Sequence, residues 1–316
     1  MGLLQDKRFH SVSVAVYKNG NSVIRHFGEL EEGKGNAPTD SSLYDLASVT
    51  KTFTGTLTAQ ATLAGKLSLE DDIRDYLHGS YPNLEFKGQK ITIRHLLTHT
   101  SDFPNFPING DSKDGFLKSL QQMEIKNRPG TAYRYSNTAP ELMAYILEVV
   151  YETPYHQLVA EKIFEPYNMT QSRFALAGIP EEHIVVGYDG RELVPKFKRT
   201  LWGGAAGLHA TAPDLVSFMQ MQLDQGCQAA KESHQVLGKS PYDFDIGYYW
   251  NIVQNSRGLV QRHHGGTYGM QNWLMLFPEH DMGIVVLTNS SFEETGEILE
   301  DMVYELFDDL KDKKIL

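Results

Sequence analysis

The sequence is organised around one stretch, Leu46-Ala47-Ser48-Val49-Thr50-Lys51-Thr52-Phe53, which opens a long helical pattern. Residues three apart on a helix share a face, so the Ser48 hydroxyl and the Lys51 amine can meet. A serine becomes a good nucleophile when a neighbouring base accepts its proton. A lysine can be that base when burial or nearby positive potential disfavours its charged form. The N–H groups of a helix's first turn supply such potential and can also stabilise an oxyanion.

The spacing Ser-x-x-Lys is a weak signal when taken alone, because a chain of this composition produces it by chance. The alternative interpretation is a surface helix with one exposed lysine. Ser48 is the only serine in the sequence that has a lysine three residues later. Evidence from other parts of the chain is needed to distinguish a serine nucleophile with its lysine base from an ordinary surface helix.

Composition excludes several classes of protein. The 316 residues are 41% hydrophobic, which is enough for one large or two intermediate domains with a real core. The net charge of −11, from 29 basic and 40 acidic residues, disfavours a nucleic-acid partner. No apolar run approaches the roughly eighteen residues of a membrane span. The single cysteine, Cys227, excludes an intramolecular disulfide and a cysteine-based zinc site.

The first residues indicate no signal peptide, since Met1-Gly2-Leu3-Leu4 leads almost directly into a strand pattern. Two interpretations of the compartment follow. The protein is cytoplasmic if Met1 is the native start, and periplasmic or extracellular if a leader has been removed.

Hydrophobic periodicity places strands at both ends of the chain and helices between them. We expect an α/β plus all-α fold, an antiparallel sheet with an inserted helical domain. Residues 1–45 and 208–316 would form the sheet domain and residues 46–207 the helical one, with Ser48 at the seam, where pockets tend to form. The expected strands are 11–17 (half-buried), 22–27, 246–253, 259–262, 271–277 and 283–288, and the expected helices are 48–65, one starting at Ser68, 93–99, 137–152, 211–223 and 297–311.

Two further motifs could complete a site. Tyr135-x-Asn137, just before an amphipathic helix, can present a phenol that moves protons and an amide that holds a substrate carbonyl. The alternative for Tyr135 is a half-buried packing residue. The run His263-His264-Gly265-Gly266 lies between two strands, where glycines allow a ligand to approach a strand edge. The Gly266 N–H could be a second oxyanion donor, and the alternative is a plain turn or bulge.

His95 and His99 lie four residues apart and could bind a metal. No Glu follows His95 in the arrangement of a zinc protease, so structural histidines are the favoured interpretation.

The three motifs in this order resemble the serine β-lactamase and penicillin-binding-protein superfamily, specifically its class C β-lactamase-like branch, which includes DD-peptidases, D-aminopeptidases and esterases. The resemblance covers nearly the whole chain. Besides Ser48-x-x-Lys51, Tyr135-x-Asn137 and His263-x-Gly265, it includes residues 95–101, 128–130, 203–208 and 211–215.

The resemblance implies a β-lactamase/transpeptidase-like fold, in which helices from both ends of the chain flank the sheet, and a role for each motif residue. Ser48 would attack an acyl carbonyl, while Lys51 and Tyr135 accept its proton, protonate the leaving group and later activate water. Which of the two is the base is disputed for such sites. Asn137 would bind a substrate amide, and the Ser48 and Gly266 N–H groups would form the oxyanion hole.

Two departures from the family pattern bear on function. β-Lactamases usually have a lysine where this chain has His263, and a histidine is mostly neutral at pH 7. His263 therefore argues against an efficient β-lactamase and resembles the peptidases and esterases of the branch. The helix that usually precedes the first strand is nearly absent, which predicts a C-terminal helix that is partly uncovered.

We therefore expect a serine hydrolase that forms an acyl-enzyme, acts on D-amino-acid peptides or small esters, and needs no metal or cofactor. The substrate-binding residues would be Asn137, His263, Gly265 and Gly266, with β-lactams as alternative covalent ligands. Two other hypotheses remain: a class C-type β-lactamase, and a penicillin- or peptide-binding module without turnover.

Overall fold

Both ends of the chain contribute to one antiparallel sheet. The structure, a computed structural model, describes residues 8–106, 112–195 and 201–315. The strands are β1 (Ser11–Lys18), β2 (Asn21–Gly28), β3 (Tyr44–Asp45), β4 (Glu85–Phe86), β5 (Gln89–Lys90), β6 (Tyr188–Asp189), β7 (Glu192–Leu193), β8 (His209–Ala210), β9 (Gly238–Lys239), β10 (Asp245–Ile246), β11 (Asn251–Asn255), β12 (Gly258–Gly266), β13 (Gln271–Phe277), β14 (Met282–Thr288) and β15 (Ser290–Ser291). The main sheet has the order β2-β1-β14-β13-β12-β11-β10-β9.

Helices pack on both faces of this sheet. The α-helices are α1 (Thr50–Leu63), α2 (Ile93–Leu97), α3 (Lys113–Gln121), α4 (Thr138–Tyr151), α5 (Tyr155–Val159), α6 (Ala212–Leu223), α7 (Gln228–Ser233) and α8 (Thr295–Leu310). Shorter 3₁₀ turns span Ala47–Val49, Ile73–Tyr76, Glu181–His183 and Pro278–His280, and a π-turn spans Ala160–Phe164. α8 covers one face and α6 the other. No helix in the described ranges is long and apolar enough to cross a membrane.

Strand β1 lies between β2 and β14 and is buried on both faces. Its Val12 and Val16 pack into the cluster under α8, while Ala15 and Tyr17 pack into the larger core on the side of α6. The prediction of a half-buried strand is therefore wrong: only Val14 is partly exposed. The core on the side of α6 covers Ala15 and Tyr17, while Ser11 and Ser13 are buried in hydrogen bonds to Asn289 and Tyr44. The strand pattern itself shows neither set of contacts.

The central helices agree closely with the sequence pattern. α1 follows the Ala47–Val49 turn, and α4 buries the apolar face predicted for residues 137–152. α6 begins as expected, with the Thr211 hydroxyl accepting a hydrogen bond from the Asp214 N–H at 3.4 Å. Capping by a threonine side chain satisfies one of the N–H groups that a helix start leaves open.

Two predicted elements differ from the structure. Ser68 does not start a helix, because its N–H binds the Asp71 carboxylate at 2.6 Å in a turn, and a short 3₁₀ helix begins only at Ile73. Residues 246–253 do not form one strand either. They divide into β10 and β11 around a tight turn that buries Tyr249 and Trp250. Consecutive aromatic side chains in one strand would point to opposite faces, so burying both in the core favours the turn.

The mixed fold with a large antiparallel sheet confirms the predicted fold class. The segment ahead of β1, where the helix of the family pattern is expected to be nearly absent, consists mainly of residues 1–7, which lie outside the described residues.

Candidate active site

Ser48 lies in the 3₁₀ turn that leads into α1. The preceding residue, Ala47, has φ of 45°, a left-handed conformation that is uncommon for a residue other than glycine. Its N–H donates to the Asp45 carboxylate at 2.8 Å, and the residue is buried. Such a conformation costs on the order of 1–3 kcal/mol and persists where surrounding contacts fix it. The turn thus holds Ser48 in one position at the start of the helix.

Lys51 lies one turn further along the helix and is fully buried. Its Nζ donates to Ser48 Oγ at 2.9 Å, to Asn137 Oδ1 at 2.7 Å and to the Ala205 carbonyl at 2.7 Å. An ammonium group has three protons, so these three bonds can use all of them. The surface-helix interpretation of the Ser-x-x-Lys spacing is wrong, since this lysine lies inside the molecule.

Tyr135 approaches the same serine from a separate segment. Its hydroxyl donates to Ser48 Oγ at 2.9 Å, and its ring lies 5.0 Å from Lys51 Nζ. The serine oxygen is therefore within hydrogen-bond distance of two groups that can carry a proton. Behind Tyr135, the His99 ring packs at a centroid distance of 4.7 Å and accepts a hydrogen bond from the Ser136 N–H.

Asn137 connects this arrangement to the cleft. Its Oδ1 accepts from Lys51, while its Nδ2 donates to Asn105 Oδ1 at 2.8 Å. The side-chain amide is thus held in a fixed orientation. An amide nitrogen has two protons, so one proton of Nδ2 remains for a substrate carbonyl.

The third motif does not lie between two strands, as predicted, nor in a turn: residues 263–266 continue β12 to its end, next to the Ser48 turn, and pair with β13. Pairing of β12 with β11 ends at Arg262, so residues 263–266 have a β-partner on the β13 side alone within the described sheet. A Cβ at Gly265 would lie 2.3 Å from the Leu46 carbonyl, so glycine is needed for the strand to pass this close to the serine. Gly266 lines the same cleft as Ser48.

His263 is buried and neutral. Burial, reinforced by the charge of Lys51, lowers the pKa of His263 to about 3. Its Nδ1 lies 2.7 Å from the His264 carbonyl, which only accepts hydrogen bonds, so Nδ1 carries the proton. This position therefore brings no permanent positive charge to the cleft.

His95 and His99 have structural partners. His95 Nδ1 accepts the Thr92 N–H at 3.0 Å in the cap of α2, and burial lowers the pKa of both histidines. Within the described ranges, no three His, Cys, Asp or Glu side chains converge as a metal site would require.

The sequence did not reveal the role of Glu141 beside this site. Its carboxylate is buried and accepts the Gly203 N–H at 3.0 Å and the Ala205 N–H at 3.1 Å. It therefore fixes the segment whose Ala205 carbonyl binds Lys51. The available signal was the position of Glu141 within an otherwise apolar stretch of α4. Acidic residues are seldom buried without partners, so this position indicates a carboxylate that binds polar groups inside the protein.

These elements surround an open cleft of about 740 Å³. A smaller cavity of about 250 Å³ lies on the other side of the Thr267-Tyr268 turn and contains none of the motif side chains. The residues lining the large cleft are Ser48, Tyr133, Tyr135, Tyr242, Phe244, Asn251, His263, His264, Gly266, Thr267, Tyr268, Gln271 and Ser291.

A serine bonded to a buried lysine and a tyrosine, beside an unpaired strand edge, is a site of the type used for acyl transfer. The family model described as Beta-lactamase matches residues 2–306 of the chain. The chain therefore belongs to the Beta-lactamase family and has its serine-hydrolase fold.

Individual relatives are distant in sequence and near in structure. "Protein flp" of Staphylococcus aureus (strain MRSA252) is 26% identical over 94% of this chain and 63% of its own length. The present chain thus spans a little under two thirds of that relative. A "Beta-lactamase/D-alanine Carboxypeptidase" from Yersinia pestis, complexed with citrate, superposes with a TM-score of 0.86 at 21% identity, covering 98% of this chain and 95% of that one. A structure described as a class C β-lactamase gives a TM-score of 0.87 at 22% identity, covering 99% and 94%.

Proposed function

We propose that this protein hydrolyses acyl compounds through a covalent ester on Ser48. One observation carries the proposal: Ser48 Oγ lies 2.9 Å from both Lys51 Nζ and the Tyr135 hydroxyl. A hydroxyl flanked by two proton-carrying groups can lose its proton as it attacks and the leaving group can gain one as it departs.

In the acylation step, Ser48 Oγ forms a bond to the substrate carbonyl carbon and gives its proton to the Lys51–Tyr135 pair. The carbonyl π electrons move to oxygen, and the N–H groups of Ser48 and Gly266 stabilise the resulting oxyanion. The bond to the leaving group then breaks, and the pair returns the proton to the leaving heteroatom. Neutral Lys51 is the form that can accept a proton, so its hydrogen bond to Ser48 reverses direction in the reactive state.

In the deacylation step, a water molecule gives a proton to Tyr135 or Lys51 as its oxygen attacks the ester carbon. Collapse of the second tetrahedral intermediate releases the acid and returns the proton to Ser48 Oγ. Asn137 holds the substrate through its remaining Nδ2 proton, and its bonds to Lys51 and Asn105 keep that group in place. Both steps use protein groups and water alone.

For the substrate we propose D-amino-acid peptides or small esters ahead of β-lactams. The buried, neutral His263 supports this order, because it offers no permanent cation to a β-lactam carboxylate. The Yersinia pestis relative is described as a D-alanine carboxypeptidase as well as a β-lactamase, which supports the peptide alternative. The class C-type β-lactamase remains the second candidate, favoured by the description of the other structural relative.

Covalent labelling tests the mechanism. The protein is incubated with a fluorophosphonate and, separately, with a fluorescent penicillin, and its intact mass is measured. We expect an adduct with the fluorophosphonate that is lost in Ser48→Ala. No adduct with either reagent would overturn the acyl-enzyme proposal and favour a binding module. Turnover of p-nitrophenyl butyrate, D-Ala-D-Ala peptides and nitrocefin then ranks the substrates, and fastest turnover of nitrocefin would reverse our order.

A further inference from the structure

Three aromatic rings form one wall of the cleft that contains Ser48. The Tyr133 ring lies 6.0 Å from the Tyr242 ring and 6.1 Å from the Phe244 ring, in edge-on arrangements. The Tyr242 and Phe244 rings stack with centroids 5.9 Å apart. We call these three residues the aromatic wall. Edge-on and offset arrangements leave ring faces and edges that a further aromatic group can contact.

One ring of the wall is largely exposed, and the other two are half-buried. Tyr242 is 66% exposed, although its ring is large and mostly apolar. Within the described residues there are six exposed large hydrophobic side chains, and two of them, Tyr242 and Tyr268, line this cleft. Clustered exposed apolar surface in a concave site marks a place where a ligand binds, whereas single exposed apolar residues need no explanation.

Hydrogen bonds within its own turn hold the wall in position. Ser240 Oγ donates to the Phe244 carbonyl at 2.7 Å and accepts the Tyr242 N–H at 3.1 Å, which fixes the turn that carries both rings. The His99 ring packs behind Tyr133 at 6.0 Å. Aromatic side chains on a rigid support lose little conformational entropy when they bind, which favours their use in recognition.

The wall continues from the proton-donating side of the site. Tyr133 is two residues from Tyr135, and His99 packs against both rings. Tyr135 and Lys51 are the groups that protonate the leaving heteroatom in the proposed mechanism. When that heteroatom faces Tyr135, a substituent attached to it occupies the same cleft that the wall lines.

We propose that the aromatic wall of Tyr133, Tyr242 and Phe244 binds an aromatic group on the leaving-group side of the substrate. This inference rests on the proposed acyl hydrolysis and narrows its substrate class to esters or amides whose alcohol or amine part carries an aromatic ring.

Matched esters test the inference. The ratio of kcat/KM for 2-phenylethyl acetate to that for ethyl acetate measures selectivity on the leaving-group side, and the ratio for ethyl phenylacetate to ethyl acetate measures it on the acyl side. We expect the first ratio to fall about 5- to 10-fold in Tyr242→Ala and in Phe244→Ala, mainly through KM, because each variant removes one ring contact. The exposed Leu63 at the far end of α1 supplies the control, and Leu63→Ala should keep both ratios.

Two measurements separate this inference from the proposed function. Fluorophosphonate labelling of Ser48 reports the serine machinery, and saturation-transfer NMR of 2-phenylethyl acetate on the Ser48→Ala protein reports binding without turnover. Normal labelling with both ratios unchanged in Tyr242→Ala and Phe244→Ala would overturn the inference and leave the proposed function standing. A fall in the acyl-side ratio alone would overturn the leaving-group placement. NMR contact with the phenyl ring that disappears in a Ser48→Ala, Tyr242→Ala double variant would support the wall even if labelling failed.

Discussion

Replacing Glu141 by alanine removes the acceptor of two backbone N–H groups in the middle of the molecule. The carboxylate lies at the first turn of α4 and binds the N–H groups of Gly203 and Ala205, at 3.0 and 3.1 Å. Between them, Gly204 packs so tightly on α4 that a Cβ there would lie 2.3 Å from the Pro140 carbonyl. Glu141→Ala deletes the carboxylate that accepts both bonds, so we expect both N–H groups to lose their protein acceptor.

The magnitude follows from these two bonds. An unsatisfied buried donor costs about 1–3 kcal/mol, so two give a loss of about 2–6 kcal/mol in the free energy of unfolding. For a chain of this size, where 1 kcal/mol shifts Tm by about 1.5 °C, the loss corresponds to a drop of roughly 3–9 °C in Tm. Activity should fall as well, because the Ala205 carbonyl that binds Lys51 at 2.7 Å is no longer fixed. A misplacement near 1 Å at a reacting group costs about 10²-fold in rate.

The assay combines thermal and urea unfolding with the rate of fluorophosphonate labelling at Ser48. Glu141→Gln keeps one acceptor oxygen and should lose about half as much stability as Glu141→Ala. Glu305→Gln, at an exposed position of α8, is the control for removal of one negative charge. If Glu141→Ala unfolds at the parent's temperature and labels at the parent's rate, the assignment of Glu141 as the residue that positions Ala205 is wrong.

Three further predictions concern the strand edge and the buried histidines. Gly265→Ala should slow labelling and destabilise the protein by about 1–3 kcal/mol, because its Cβ meets the Leu46 backbone. The Cβ of Gly266→Ala meets only the end of the Gln271 side chain, which can turn away more easily than backbone, so this variant should destabilise the protein less. Burial lowers the pKa of His234 to about 3 from its ordinary 6.5, so the unfolded state binds the proton first. The free energy of unfolding should then decrease as pH falls from 6.5 towards 3, by up to ~1.4 kcal/mol per pH unit, and urea titrations of His234→Leu should show a slope smaller by that amount. His263→Lys should raise the acylation rate by a penicillin about tenfold, because a charge-assisted hydrogen bond to its carboxylate replaces a neutral one.

Each of these predictions has a contrary result. Equal labelling rates and equal stabilities for the two glycine variants would show that β12 is not packed against the Ser48 turn as described. The exposed His156 supplies the control variant, His156→Gln, for the pH titrations. If the free energy of unfolding of His234→Leu changes with pH as steeply as that of His156→Gln, the linkage argument is contradicted. An unchanged penicillin rate in His263→Lys, measured on folded protein, would refute the charge argument for substrate preference.

The sequence predicted the fold class and the family because both depend on local patterns in a fixed order. Ser48 and Lys51 could be paired from helix geometry alone, and strands such as β13 were visible from their apolar runs. The proximity of Tyr135 to Ser48 came from the resemblance, since no local rule connects residues 87 positions apart. The structure brings these side chains together, and their roles in catalysis remain the proposal that labelling tests.

The features that sequence reasoning missed depend on contacts between remote segments. The sequence that begins at Ser68 is typical of a helix start, but the Asp71 carboxylate accepts a hydrogen bond from the Ser68 N–H and closes a turn instead. The aromatic residues before β11, Tyr248 to Trp250, are of the type that strands favour, but packing in the core favours a turn that buries all three. Glu141 binds Gly203 and Ala205, which lie 62 and 64 residues further along the chain, so the local sequence at either end does not predict the contact.

The pairing of β1 with β14 has a consequence for biosynthesis. Thr288 Oγ1 donates to the Ser11 carbonyl across 277 positions of the chain. During translation β1 and its hairpin partner β2 leave the ribosome long before β14 is made, so the edge of β1 that pairs with β14 stays open for that interval. Open edges of this kind are prone to intermolecular association, and pairings between distant segments form slowly. We therefore expect the yield of folded protein to rise when holdase chaperones are abundant.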